Sequence, residues 1–265
     1  MKIALAQTEV IQGDFDENLK LVDDIARKAK IGGAQLVVFP EMFVCGFNYK
    51  KNLAYLKENG DRAERELAKI AKARDIAICG SLPHLSDGDE RPSNRFVMFG
   101  ADGVEIVHYD KIHLFSVFNE NKYVKAGDEI VVADTPFGKM GFAVCYDLRF
   151  PDIFVRMAKR GAKVIIISSA FPHPRSEHWR ILSRARAIEN QCFVIAVNRG
   201  GTENFGETSV KYFGLSAALD PWGGIIAECP VDEADALAFA DINIDEVENI
   251  RSQIPSFADR RDDIY

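Results

Sequence analysis

The stretch MGFAVCYDLRFPDI, residues 140–153, decides how the chain reads. Residues 140–144 form a continuous apolar run, the pattern of a strand buried on both faces. The run ends in Cys145, polar residues follow at once, and Pro151 stands where a helix can begin. A strand that ends sharply and hands over to a helix projects its last side chain into the cleft at the sheet edge. It also leaves backbone N–H groups unpaired there, and such donors suit an oxyanion. A thiol at that point becomes a nucleophile if a base and a positive charge approach it. Taken alone, a buried cysteine is equally a small apolar residue capping a strand. Cys45, Cys79, Cys192 and Cys229 read in that second way.

The rest of the chain supports a large α/β fold. Its 265 residues are 47% hydrophobic, enough for a sizeable core. The net charge is −7, and no basic run interrupts the mixture of Lys, Arg, Asp and Glu. Nucleic acid and anionic membrane surfaces are therefore not expected partners. No apolar stretch reaches the roughly 18 residues of a membrane span. The N-terminal MKIALAQTEV is too short and too interrupted for a signal peptide. Five cysteines without repeated spacing do not form a disulfide framework, so a reducing, cytoplasmic setting is expected.

Strands and amphipathic helices alternate. Residues 2–7, 36–39, 76–79, 164–168 and 193–198 read as strands. Residues 16–29, 62–73, 151–160 and 176–190 read as helices, the first stopped by Gly32-Gly33. Residues 95–99 and 104–108 flank an Asp-Gly turn, and residues 130–133 pair with 140–144. Residues 215–219, 225–228 and 236–241 complete the strands, and 245–253 reads as a last short helix. No Pro/Gly/Ser-rich linker divides the chain, so residues 1–265 are expected to form one domain. Many strands in one chain suggest two stacked mixed sheets with helices outside.

Two further strands end in ionisable groups. Residues 36–40 lead into Glu41, and residues 104–108 lead into Lys111. Either alone is an ordinary solvated charge, but catalytic groups characteristically come from several strand ends on one side of a sheet. With VVFPEMFVCGF around Glu41, YDKIHLF around Lys111 and the stretch around Cys145, the sequence resembles the nitrilase, or carbon–nitrogen hydrolase, superfamily. SEHWRILSRARAIENQCFVIAVN, GLSAALDPWGGIIA and IRSQIPSFADRRDDIY extend the resemblance over nearly the whole chain.

The resemblance implies an αββα sandwich that commonly forms a homodimer sheet-to-sheet, extending the layers to αββα–αββα. It implies a Glu41 general base, a Lys111 positive charge and a Cys145 nucleophile, with no cofactor and no metal. A second glutamate between lysine and cysteine falls on Glu120, with Glu129 a poor substitute. Lys111 and the backbone N–H of Tyr146 are candidates to hold the oxyanion. Within the superfamily the motifs look most similar to the ω-amidase group, which hydrolyses 2-oxoglutaramate and 2-oxosuccinamate to the 2-oxo-diacid and ammonia. Amidases of deaminated glutathione, N-carbamoyl-amino-acid hydrolases and aliphatic amidases or nitrilases are the alternatives. A non-catalytic binding module would be free to lose part of the triad, and this chain has all three residues.

A small carboxylate-bearing amide calls for an arginine in the pocket. Arg149, Arg175 and Arg199 follow strands and are candidates, each with a structural ion pair as the alternative. Phe43, Phe171 and Trp179 are candidate pocket walls, each with core packing as the alternative. His173 and His178 invite a metal reading but lack a third ligand beside them, and His113 is expected to support the Lys111 loop. No G-x-G-x-x-G follows the first strand, which leaves no dinucleotide signature.

Overall fold

A computed structural model of the chain describes residues 1–264; Tyr265, the last residue of the C-terminal stretch quoted above, lies outside them. The strands and helices, in chain order, are β1 (Lys2–Gln7), α1 (Phe15–Ile31), β2 (Leu36–Val38), α2 (Tyr49–Asn59), α3 (Arg62–Arg74), β3 (Ala77–His84), β4 (Ser93–Phe99) and β5 (Glu105–Asp110). There follow α4 (Glu120–Tyr123), β6 (Val132–Thr135), β7 (Gly138–Val144), α5 (Pro151–Lys159), β8 (Val164–Ser169), α6 (Ser176–Asn190) and β9 (Phe193–Asn198). The last elements are β10 (Thr202–Phe205), β11 (Thr208–Lys211), β12 (Ala217–Leu219), β13 (Ile225–Glu228), β14 (Ala236–Asp241) and α7 (Glu246–Gln253).

The strands form two sheets, ordered β14-β1-β2-β3-β4-β5 and β13-β12-β9-β8-β7-β6, with β10-β11 as a separate hairpin. Side chains alternate across each strand, and both faces are covered, which is why the central strands are continuously apolar. Ile3, Leu5, Leu36 and Val38 meet Met140, Phe142, Val144 and Ile166 between the sheets. On the outer face of the first sheet, Ala4, Ala6 and Val37 pack against Leu19, Val22 and Ala26 of α1 and Leu67 and Ala71 of α3. On the outer face of the second, Ala143, Ile165 and Ile167 pack against Phe154 and Met157 of α5 and Trp179 and Ala187 of α6.

Helix ends follow from local chemistry. The Asp14 carboxylate accepts the Glu17 N–H at 3.1 Å and caps α1, and α5 opens on Pro151. Helix α4, of four residues, is too short to leave a periodic signal in the sequence, and two longer elements carry none either. Helix α2 buries only Asn52 and Leu56, so it lacks an apolar stripe. Hairpin β10–β11 buries only Glu203, so it lacks apolar alternation.

The topology gathers strand ends. In the first sheet β1, β2 and β3 are parallel, and β5 runs parallel to β3 through two antiparallel pairings. In the second sheet β7, β8 and β9 are parallel. The ends of β2 and β8 meet across the sandwich: Ser168 Oγ donates to the Phe39 carbonyl at 2.9 Å and the Glu41 N–H to the Ser169 carbonyl at 3.3 Å.

Close packing beneath these ends gives a stability test. A Cβ on Gly80 of β3 would lie 2.8 Å from the Phe43 ring and 2.9 Å from Phe39 Cβ. Gly80→Ala is expected to destabilise the fold by about 1–3 kcal/mol, read by urea denaturation.

Candidate active site

Cys145 sits where β7 stops. Its φ is +47°, a left-handed conformation that costs a residue with a side chain about 1–2 kcal/mol. The chain then enters a 3-10 turn, Cys145–Arg149, before α5. The buried Asp147 carboxylate holds this elbow. It accepts the Val144 N–H at 2.9 Å, the Tyr109 hydroxyl at 2.8 Å, the His113 N–H at 3.0 Å and His113 Nδ1 at 2.8 Å. Hydrogen bonds to a charged acceptor are worth about 1.5–3 kcal/mol each, so together they outweigh the backbone strain. Tyr109 and His113 flank Lys111, so one carboxylate ties the cysteine elbow to the lysine loop. His113 also stacks on Phe150, with ring centroids 3.7 Å apart, and thereby supports that loop as expected.

Lys111 follows β5 and is buried between two carboxylates. Its Nζ lies 2.7 Å from Glu41 Oε1 and 3.0 and 2.9 Å from the two oxygens of Glu120. Asn94 of β4 donates through one Nδ2 to Glu41 Oε1 at 2.8 Å and to Glu120 Oε1 at 3.2 Å. The Ala170 N–H donates to Glu41 Oε2 at 3.1 Å, and the Phe115 N–H to Glu120 Oε2 at 2.6 Å. The short loop around the 3-10 turn Ser116–Phe118 delivers Glu120 to this cluster, whereas Glu129 is exposed to solvent.

The electrostatics follow from burial. Loss of solvent raises the Glu41 carboxyl above its ordinary range, against the opposing pull of Lys111. Burial favours the neutral Lys111 amine, but the Glu120 and Glu41 carboxylates outweigh it and hold the lysine above its ordinary value, as an ammonium. Burial raises the Cys145 thiol well above its ordinary value, Glu41 raises it further, and Lys111 opposes both. The thiol and the Glu41 carboxylate face the same cleft. The arrangement thus pairs a neutral thiol with an adjacent carboxylate able to take its proton and a fixed positive charge alongside.

A cleft opens onto Cys145, Glu41, Lys111 and Glu120. Tyr146, Arg149, Phe171 and Arg175 also line it. Arg149 lies 5.3 Å over the Phe171 ring and contacts His178 Nδ1 at 3.3 Å. Arg175 donates to the His173 carbonyl at 3.3 Å. Among the described residues neither guanidinium forms an ion pair, so Asp147 and Asp152 do not neutralise Arg149. The backbone of Phe171 is clamped by Asn198, whose Oδ1 accepts the Phe171 N–H at 2.6 Å.

Three expected pocket residues lie elsewhere. Phe43 stacks on Phe39 at 4.8 Å within the core beneath the first sheet. Trp179 stands behind the wall, packed on Phe171 at 5.4 Å, with its Nε1 donating to the Leu215 carbonyl at 2.8 Å. Arg199 is fully buried and paired with Glu203. The sequence reading missed Asn94, Asp147 and Asn198, and also the aromatic walls Phe47, Tyr49, Phe115 and Tyr212. Asp147, two residues beyond Cys145, was the one with a usable signal. His173 pairs with Asp232 at 2.8 Å, and no cluster of three or more His, Cys, Asp or Glu among the described residues is placed to hold a metal ion. No helix among the described residues is long and apolar enough to cross a membrane.

Known proteins of one family resemble this chain in sequence and fold. A carbon-nitrogen hydrolase family model matches residues 2–252. A 2-oxoglutaramate amidase of Bacillus subtilis is 33% identical, over 99% of this chain and 98% of its own. A deaminated glutathione amidase of Dictyostelium discoideum is also 33% identical, over 91% of this chain and 88% of its own. A solved amidase variant from Nesterenkonia sp. AN1, with acrylamide added at its active-site cysteine, superposes with a TM-score of 0.84 at 28% identity, covering 96% of this chain and 98% of that one. The two stacked sheets flanked by helices are the expected nitrilase-type sandwich. The chain belongs to the carbon-nitrogen hydrolase family, hydrolases of non-peptide C–N bonds in amides.

Proposed function

We propose that this chain is an ω-amidase, releasing ammonia from the terminal carboxamide of a small carboxylate-bearing substrate such as 2-oxoglutaramate or 2-oxosuccinamate. The observation that carries this reading is the pair of guanidinium groups, Arg149 and Arg175, lining the cleft over Cys145 without ion-pair partners among the described residues. A guanidinium fork matches a carboxylate in geometry and charge. The similarity to a 2-oxoglutaramate amidase supports it. Deaminated glutathione also carries carboxylates, and the equal similarity to its amidase keeps that substrate as the second reading.

In this mechanism the Cys145 sulfur attacks the amide carbon as Glu41 takes the thiol proton. The oxyanion that forms is held by Lys111 and the Tyr146 N–H, each such donor worth about 3–4 kcal/mol. Glu41 returns the proton to the leaving nitrogen, ammonia departs and a Cys145 thioester remains. Water, deprotonated by Glu41, then attacks the thioester carbon; the C–S bond breaks, the acid leaves, and Glu41 returns the proton to the Cys145 sulfur. Glu120 and Asn94 hold Lys111 and Glu41 in place, and no cofactor takes part.

The chain is also proposed to work in a reducing, cytoplasmic setting, supported by its five free cysteines. A homodimer is proposed as well. Ile181 and Ile188 stand 62% and 52% exposed on one face of α6, beside Trp222 at 51% and Ile225 at 43%. Such a patch favours a helix-layer contact between two copies. Light scattering at micromolar concentration is expected to give a dimer mass, and a monomer mass counts against it.

Ammonia release from 2-oxoglutaramate, deaminated glutathione, N-carbamoyl-β-alanine, a simple aliphatic amide and a nitrile tests the substrate. Turnover is expected to favour 2-oxoglutaramate and to vanish in Cys145→Ala, with melting unchanged. Preference for another member of the panel would reject the ω-amidase reading. Arg149→Met or Arg175→Met is expected to raise KM for 2-oxoglutaramate by about 10–100-fold and to spare the aliphatic amide.

The pH dependence has a definite sign. Glu41 acts as a base only when ionised, and its folded pKa is raised. Log kcat/KM is therefore expected to fall as pH drops through a value above the ordinary carboxylate range. Glu41→Gln is expected to cost about 10²–10⁴-fold.

A further inference from the structure

Behind the aromatic wall of the cleft lies an ion pair that the reaction does not use. Arg199 Nη1 bonds to Glu203 Oε2, and both residues are buried, at 0% and 1% exposure. Glu203 is the one buried side chain of hairpin β10–β11. An apolar anchor would serve stability as well, because desolvation of a buried ion pair offsets its attraction.

What the carboxylate does is grip two pieces of the wall. Glu203 Oε1 accepts the Phe47 N–H at 2.7 Å, and Oε2 accepts the Tyr212 hydroxyl at 3.2 Å. Arg199 donates to the Val10 carbonyl at 2.8 Å, and its guanidinium lies 4.6 Å over the Tyr212 ring. Gly46 permits the approach: its φ is +67°, and a Cβ there would come within 2.5 Å of Glu203 Oε1. Phe47 and Tyr212 line the cleft, whereas Arg199 and Glu203 do not.

We propose that the Arg199–Glu203 pair is a positioning device for substrate recognition, setting Phe47 and Tyr212 against the part of the substrate beyond its amide. The proposal rests on the reading that the amide binds in this cleft. It separates two functions of the site. The pair sets the wall, and the Glu41–Lys111–Glu120 cluster governs the chemistry at Cys145.

The test uses Glu203→Gln and the double variant Arg199→Met/Glu203→Leu. The double variant removes both charges together and leaves neither buried without its partner, which is expected to cost less stability than a single change even though the Phe47 N–H, the Tyr212 hydroxyl and the Val10 carbonyl lose their bonds to the pair; its melting temperature is measured first. Hydrogen exchange at the Phe47 amide, 2-oxoglutaramate kinetics and Cys145 alkylation by iodoacetamide are measured. The expected result is faster exchange at Phe47, KM raised about tenfold or more, and kcat and alkylation within about twofold of wild type. A folded double variant with unchanged Phe47 exchange and unchanged KM overturns the proposal. So does a parallel fall in kcat and alkylation, which would put the pair in the chemistry. If the wild type hydrolyses no amide, the ω-amidase reading fails by itself. The pair is then judged by Phe47 exchange and by alkylation with 2-chloroacetanilide, whose ring is expected to lie against the Phe47 and Tyr212 wall. Weaker saturation by the anilide in the double variant, with iodoacetamide unaffected, upholds the proposal, and equal saturation overturns it.

Discussion

One ammonium between two carboxylates organises this structure. Lys111, Glu41 and Glu120 are all buried, and none of the three charges is tolerable there without the others. Removing one member of a buried ionic set typically costs about 3–5 kcal/mol, because the charge left behind has lost both water and partner. The cluster sits where β2 and β5 end and β4 begins, and Asn94 bridges the two carboxylates.

The second sheet contributes what the first lacks. Glu41, Lys111, Glu120 and Asn94 belong to the first sheet and its loops, while Cys145 and the Ala170 N–H belong to the second. The register of one sheet on the other is consequently a property of the site itself. Several contacts set it: Ser168 to Phe39, Glu41 to Ser169, Ala170 to Glu41, and Asp147 to Tyr109 and His113. Asp147 also compensates the strained backbone of Cys145, so the same carboxylate orients the thiol and joins it to the lysine loop.

Much of this was legible in the sequence, for a physical reason. Glu41 and Cys145 each end an apolar run, and a reactive group at the end of a doubly covered strand stands out; Lys111 follows the half-exposed edge strand β5 and stood out only beside the other two. The strands and the helices with an apolar stripe were legible on the same grounds. Helix α2 and hairpin β10–β11 were not, because neither buries enough apolar surface to leave a periodic trace. Glu120 depended on the family resemblance, since four residues of helix carry no pattern. Arg199 follows a strand as Arg149 and Arg175 do, yet it turns inward, and its partner Glu203 lies in the hairpin that periodicity could not show. Phe43 and Trp179 were misplaced because an aromatic on a wall and one just behind it look alike in a sequence. Asn94 and Asn198 act through hydrogen bonds whose partners are distant in the chain.

The account requires that the substrate's acyl group rest on Cys145 between ammonia release and hydrolysis. The most direct measurement is intact-protein mass spectrometry after rapid acid quench during 2-oxoglutaramate turnover, followed by peptide mapping. The account predicts a mass increase equal to the substrate minus ammonia, located on Cys145. Steady ammonia production with an unmodified Cys145 at every quench time, or an acyl group on another residue, would contradict it.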